Sequence, residues 1–76
     1  MFNKNDEVVI VDINKVKNDP FLDGEAKRIM EGANYKGNVT MLFTESDKKL
    51  ISVSFYLGEN RVTQVFRVDE IKKVGE

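Results

Sequence analysis

GNVTMLFTESDKKLISVSFYLGENRVTQVFRVDEIKKV, residues 37–74, decides the fold. Side chains on a strand point alternately to opposite faces, so a half-buried strand shows period-two alternation. Val39, Met41 and Phe43 read as one face of a first strand, with Thr40 and Thr44 on the other. Ile51, Val53 and Phe55 alternate with Ser52, Ser54 and Tyr56 in a second, and the two serines mark a face that water reaches. Val62, Phe66 and Val68 share a face of a third, interrupted by Gln64. The connections fit hairpins: Glu45-Ser46-Asp47-Lys48-Lys49 is short and polar, and Gly58-Glu59-Asn60 offers residues that tolerate positive φ. Short loops make consecutive strands antiparallel neighbours, because a parallel pair needs a long crossover. The stretch therefore predicts a three-strand meander, one short turn and a last short strand.

Around this stretch the chain leaves little room for anything else. Seventy-six residues make a single domain with one small core, spanning 1–76. Hydrophobic residues at 41% and charged residues at 33% fit a folded globule and not a disordered tail. Cysteine and histidine are both absent. Without them there is no disulfide framework and no thiolate or imidazole metal ligand, and the commonest general base and the usual near-neutral pH switch are missing. No apolar run approaches the ~20 residues of a membrane helix, and Met1–Glu7 do not read as a signal peptide, so the expected compartment is the cytoplasm. A net charge of −1 supplies no overall attraction to nucleic acid or anionic lipid.

Upstream, Glu7-Val8-Val9-Ile10-Val11 carries four consecutive β-branched residues and predicts a first strand covered on both faces. Residues 14–37 form a long irregular excursion. Within it Asp19-Pro20 suits a helix start, and Leu22, Ala26, Ile29, Met30 and Ala33 recur at helical spacing. Gly24 weakens the early part, so Asp23 is the alternative start. The spacing predicts a short amphipathic helix within 20–31, ended by Gly32, whose apolar face lids one open end of the sheet.

This layout resembles the Src-homology-3-like small barrels, a broad group that includes KOW and Tudor domains. Asn5-Asp6-Glu7-Val8-Val9-Ile10-Val11 is similar to their opening strand, with Asn5 in the usual glycine position. Tyr35-Lys36-Gly37-Asn38-Val39 is similar to the glycine-led entry to their second strand, and residues 65–74 to their ending, where one 3₁₀ turn separates the last two strands. The resemblance implies a mainly β, antiparallel barrel of about five strands with one short helix inserted between the first and second strands. The alternative is an open four-strand sheet packed on the helix, with Val68–Val74 as a second helix. The departures narrow function. There is no tryptophan, and Arg67 and Glu70 stand where polyproline-binding members place Pro and Tyr. Val39 replaces the second glycine of a KOW motif. With Phe43, Phe55 and Phe66 assigned to inner faces, too few aromatics remain for a methyl-cation cage.

No chemistry-bearing pattern emerges. Asp6-Glu7 and Asp69-Glu70 are adjacent pairs, and adjacency on a strand sends the two carboxylates to opposite faces. No phosphate loop, nucleophile elbow or metal-ligand spacing is present, so the expectation is a protein that is not an enzyme and uses no cofactor and no metal. Two surfaces remain. Tyr35 and Tyr56 are candidate aromatic anchors for a protein partner. Lys48, Lys49, Arg61, Lys72 and Lys73 are a candidate nucleic-acid patch, although Glu45, Asp47, Glu59, Asp69 and Glu70 interleave with them. The expectation is an interaction module or accessory subunit that binds a protein, a monomer or weak homodimer. A nucleic-acid-binding barrel is the alternative.

Overall fold

A computed structural model of the chain describes residues 2–75. In chain order its elements are β1 (Glu7–Ile10), α1 (Ile13–Lys17), α2 (Gly24–Gly32), β2 (Lys36–Glu45), β3 (Lys48–Leu57), β4 (Asn60–Arg67) and β5 (Ile71–Lys73). All neighbouring strands are antiparallel and form one open five-stranded sheet in the order β4-β3-β2-β1-β5. The meander expected from residues 37–74 is present, and β1 and β5 extend it on the β2 side. Residues 71–73 are a strand and not part of a helix: Ile71 lies opposite Ile10 and both are buried.

The hairpin turns are tighter than their composition suggested. Glu45 pairs directly with Lys48, leaving Ser46 and Asp47 as a two-residue loop with φ of 50° and 66°. Two central residues at positive φ match the right-handed twist of the flanking strands. Lys48 and Lys49 are consequently strand residues rather than loop residues. Gly58-Glu59 forms the second two-residue loop, with Gly58 at φ 62°. Between β4 and β5 the chain makes a single turn, in which the Glu70 N–H donates to the Arg67 carbonyl at 3.0 Å.

One irregularity reorders the sheet's faces. Val39 pairs with Val53 and Met41 with Ser52, so Thr40 is an extra residue, a β-bulge. Because the side-chain period is two, one extra residue exchanges the faces of everything beyond it. Val39 keeps its place in the core, but Met41 and Phe43 join Ser52 and Leu50 on the outer face, while Leu42 turns to the Ile51 side. The expected face of Val39, Met41 and Phe43 is therefore corrected at its second member. The third strand follows its reading as far as Phe66, and Val68 falls in the turn, half-exposed. Ser54, expected on a wetted face, is only 1% exposed. Its hydroxyl meets that of Thr63 at 2.7 Å across the strand pair.

The excursion holds two helices, one more than expected. Asp12 caps α1, accepting from the Asn14 N–H at 3.1 Å, and Val16 is its one buried residue. Five residues are too few to display a periodicity. Asp19-Pro20 forms a turn, not a helix start: the Asp19 carboxylate accepts from the Phe21 N–H at 2.9 Å. The helix α2 begins instead at Asp23, which accepts from the Ala26 N–H at 2.7 Å. Ala26, Ile29 and Met30 are buried as the spacing predicts, with Leu22 and Ala33 partly buried beside them. The stop signal is Asn34, not Gly32. Asn34 takes φ 58°, and the N–H groups of Asn34 and Tyr35 donate to the carbonyls of Glu31 and Met30. Gly32 serves packing: a Cβ there would stand 2.6 Å from the Leu57 side chain.

The core lies between the inner face of the sheet and the helices. Val8, Val39, Val53, Phe55, Ile71 and Phe66 form the sheet side, and Val16, Ile29 and Met30 the helix side. Phe55 and Phe66 meet edge to face at 6.0 Å, a favoured aromatic geometry. Of the expected run of four β-branched residues, Val8 and Ile10 face this core, Val9 is half-buried and Val11 lies exposed beyond the strand. One face of β1 is covered, not both.

Candidate functional site

The helices cover the inner face of the sheet, so its outer face is the broad strand surface open to a partner. Register places Glu7, Val9, Lys36, Asn38 and Lys72 on the outer side of β1, β2 and β5. On β3 and β4 the same side carries Tyr56 opposite Arg61, Ser54 opposite Thr63, and Ser52 opposite Val65. Beyond the bulge come Met41, Phe43 and Leu50. This face has two halves of different chemistry.

Toward the β3–β4 turn it is basic. Lys36, Arg61 and Lys72 are exposed and engage in no ion pair among the described residues, and Tyr56, 50% exposed, shares the face with them. Glu7 lies in the neighbouring row, opposite Asn38. Toward the β2–β3 turn the face carries an apolar group bordered by charge, with Arg67 opposite Leu50 and Glu45 opposite Lys48 at the hairpin end. Met41 is 58% exposed and Val65 50%, with Phe43 and Leu50 paired and half-buried beside them. The bulge creates this patch, since without the extra residue Met41 and Phe43 would point inward.

The sequence-derived candidates are thus dispersed. Tyr56 stands on the outer face, whereas Tyr35, at φ 58°, is half-buried against the core between α2 and β2. Arg61 and Lys72 share the basic half with Lys36, a residue that lies outside the expected patch. Lys48 and Lys49 sit at the opposite end of β3, about 25 Å from Tyr56 at the rise of an extended strand. Lys73 belongs to the other face and pairs with Asp6 at 3.6 Å. The five cations of the expected patch do not form one cluster. Lys36 was legible only through its alternation with Gly37, whose burial hid the parity.

In Asp69-Glu70 the glutamate is held by structural contacts. Glu70 bonds the Arg67 N–H at 2.8 Å and the Lys15 ammonium at 3.1 Å, tying α1 to the β4–β5 turn. Burial opposes its ionisation, but the Arg67 N–H, the Lys15 ammonium and the Arg67 guanidinium outweigh burial and lower its pKa from the ordinary glutamate value. A surface depression of about 220 Å³ beside this pair is lined by Ile10, Val11, Asp12 and Phe66. Among the described residues no buried side-chain nitrogen or oxygen lacks a partner, no acidic cluster is arranged to hold a metal, and no helix is long and apolar enough to cross a membrane. No family model matches the chain, and no match was found among curated proteins or solved structures.

Proposed function

We propose that the chain is a non-catalytic interaction module, an accessory subunit that binds a protein partner through the outer face of β2, β3 and β4. The observation that carries this reading is the bulge at Thr40, which turns Met41 and Phe43 out of the core and sets them beside Leu50 and Val65. Large apolar side chains grouped on a strand surface, with a tyrosine on the same face, are the composition of a protein-binding patch. Src-homology-3-like barrel architecture belongs to the same proposal. It is supported by the order of the five strands, the long bulged β2, the single turn before β5 and the positive φ of 76° at Asn5, where that group has glycine.

A photo-crosslinking residue at Met41 or Val65 tests the reading in cells that make the protein. The expected result is one protein crosslinked from both positions, lost with Tyr56→Ala and absent when the probe replaces Glu25 on the far side of α2. Equal capture from Glu25 would overturn the reading.

The basic half favours a second reading, a nucleic-acid surface of Lys36, Arg61 and Lys72 with Tyr56 stacking on a base. A titration of the ¹⁵N-labelled protein with short single-stranded and duplex oligonucleotides separates the two. The first reading predicts no shifts even at low salt. The second predicts shifts at these four residues that collapse as salt rises, because phosphate contacts release counterions.

A further inference from the structure

The strand β4 ends the sheet order, so one side of its backbone faces away from β3. Which residues turn outward follows from the hairpin. Leu57 and Asn60 close a two-residue loop and form a hydrogen-bonded pair, as do Phe55–Val62 and Val53–Gln64 by alternation. The intervening pairs lack ladder bonds and bring side chains closer, which fits the 2.7 Å contact between the Ser54 and Thr63 hydroxyls. Arg61, Thr63, Val65 and Arg67 therefore present their backbone groups outward. At Arg67 both groups are already engaged, the N–H by the Glu70 carboxylate and the carbonyl by the Glu70 N–H. At Arg61, Thr63 and Val65 no hydrogen bond is made on this side among the described residues. The free edge is three residues, symmetric about Thr63.

We infer that this edge pairs with the same edge of a second copy, antiparallel about a two-fold axis at Thr63, to give a ten-stranded continuous sheet. The register is selected by what each alternative would meet. Centred on Thr63, Arg61 lies opposite Val65 of the second copy and Thr63 opposite itself, so all three free residues are satisfied in both copies by about six hydrogen bonds. The same register sets Glu59, at the turn, opposite Arg67 of the second copy, twice by symmetry. Centred on Gln64, Arg61 would face Arg67, a like-charge pair across the seam. Centred on Val65, the ladder would need the backbone of Arg67, which Glu70 holds. A two-fold contact of this kind is isologous and closed, so it ends at a dimer. Charges on an edge strand ordinarily oppose pairing. Here Arg67, whose guanidinium stands 3.8 Å from Asp69 and 3.7 Å from Glu70 of its own chain, gains Glu59 of the second copy in the register centred on Thr63. The inference uses backbone groups, and of the outer-face patch it shares Val65 alone, through that residue's N–H and carbonyl and not its side chain.

Sedimentation velocity from micromolar to millimolar protein tests it, together with amide exchange at Arg61, Thr63 and Val65. A dimer is expected, with protection of these three amides rising with concentration. Glu59→Arg, at an exposed turn, is expected to weaken association by about tenfold or more, and Glu59→Arg with Arg67→Glu to restore most of it. Met41→Glu is expected to leave association unchanged. A monomer at millimolar concentration would overturn the inference. So would a dimer indifferent to Glu59→Arg, or one whose Arg61, Thr63 and Val65 amides stay unprotected.

Discussion

The two ends of the β2–β3–β4 meander are built from the same kinds of residue and differ in burial. At the near end Val39, Val53 and Phe55 are fully buried. At the far end, past Thr40, Met41 and Leu42 are exposed and Phe43 and Leu50 only half-covered. Composition does not separate these ends. One extra residue and the reach of the helices do, since α2 packs on β3 and β4 near their shared turn and, among the described residues, no helix packs comparably on the other end. Apolar content alone thus does not identify core.

The contrast breaks if apolar residues at the two ends contribute equally to stability. Phe55→Ala removes a ring that is fully buried and packed against Phe66, with an expected loss of about 3–5 kcal/mol in urea unfolding. For a domain whose total stability is of this order, much of the population should be unfolded. Gly37→Ala belongs to the same end. Its Cβ would stand 2.6 Å from the Ser54 carbonyl oxygen and 2.7 Å from Val53, so a loss of about 1–3 kcal/mol is expected from forced displacement of a central strand. Gly24→Ala is the control: nothing lies within 4 Å, and the variant should gain about 0.5 kcal/mol from helix propensity.

Acid sharpens the account of the link between α1 and the β4–β5 turn. The pKa of Glu70 is depressed in the folded state, so the unfolded chain takes up its proton first as pH falls. Its contribution is present above the unfolded carboxylate pKa and is lost as pH drops through the lower folded value. Unfolding midpoints should therefore decline below about pH 4.5, and Glu70→Gln should flatten part of that decline. The smallest effect belongs to Arg28→Ala, which removes an exposed i,i+3 pair with Glu25 at 3.7 Å and should change stability by less than about 0.5 kcal/mol.

Strand existence, antiparallel order and the α2 face were legible because each rests on a periodicity sustained over many residues. The run from Ile51 to Tyr56 shows it most cleanly. What the chain concealed were single-residue events. The bulge at Thr40 leaves no mark in a run whose two faces, Met41-Phe43 and Leu42, are both apolar. The short helix α1 offers one buried residue, Val16, and one is no pattern. The Asn34 stop was hidden by Gly32, a more typical terminator, which turned out to be making room for Leu57. The candidate surface suffered most, because parity errors on a strand move a residue to the opposite face of the molecule.

The most direct test of the division between the two ends is urea unfolding of the double variant Met41→Ser with Val65→Ser. If the patch exists for a partner and not for the fold, the variant should unfold within about 0.5 kcal/mol of the parent, as exposed substitutions do. A loss of more than about 2 kcal/mol would mean that these side chains belong to the core energetics, and would contradict the account.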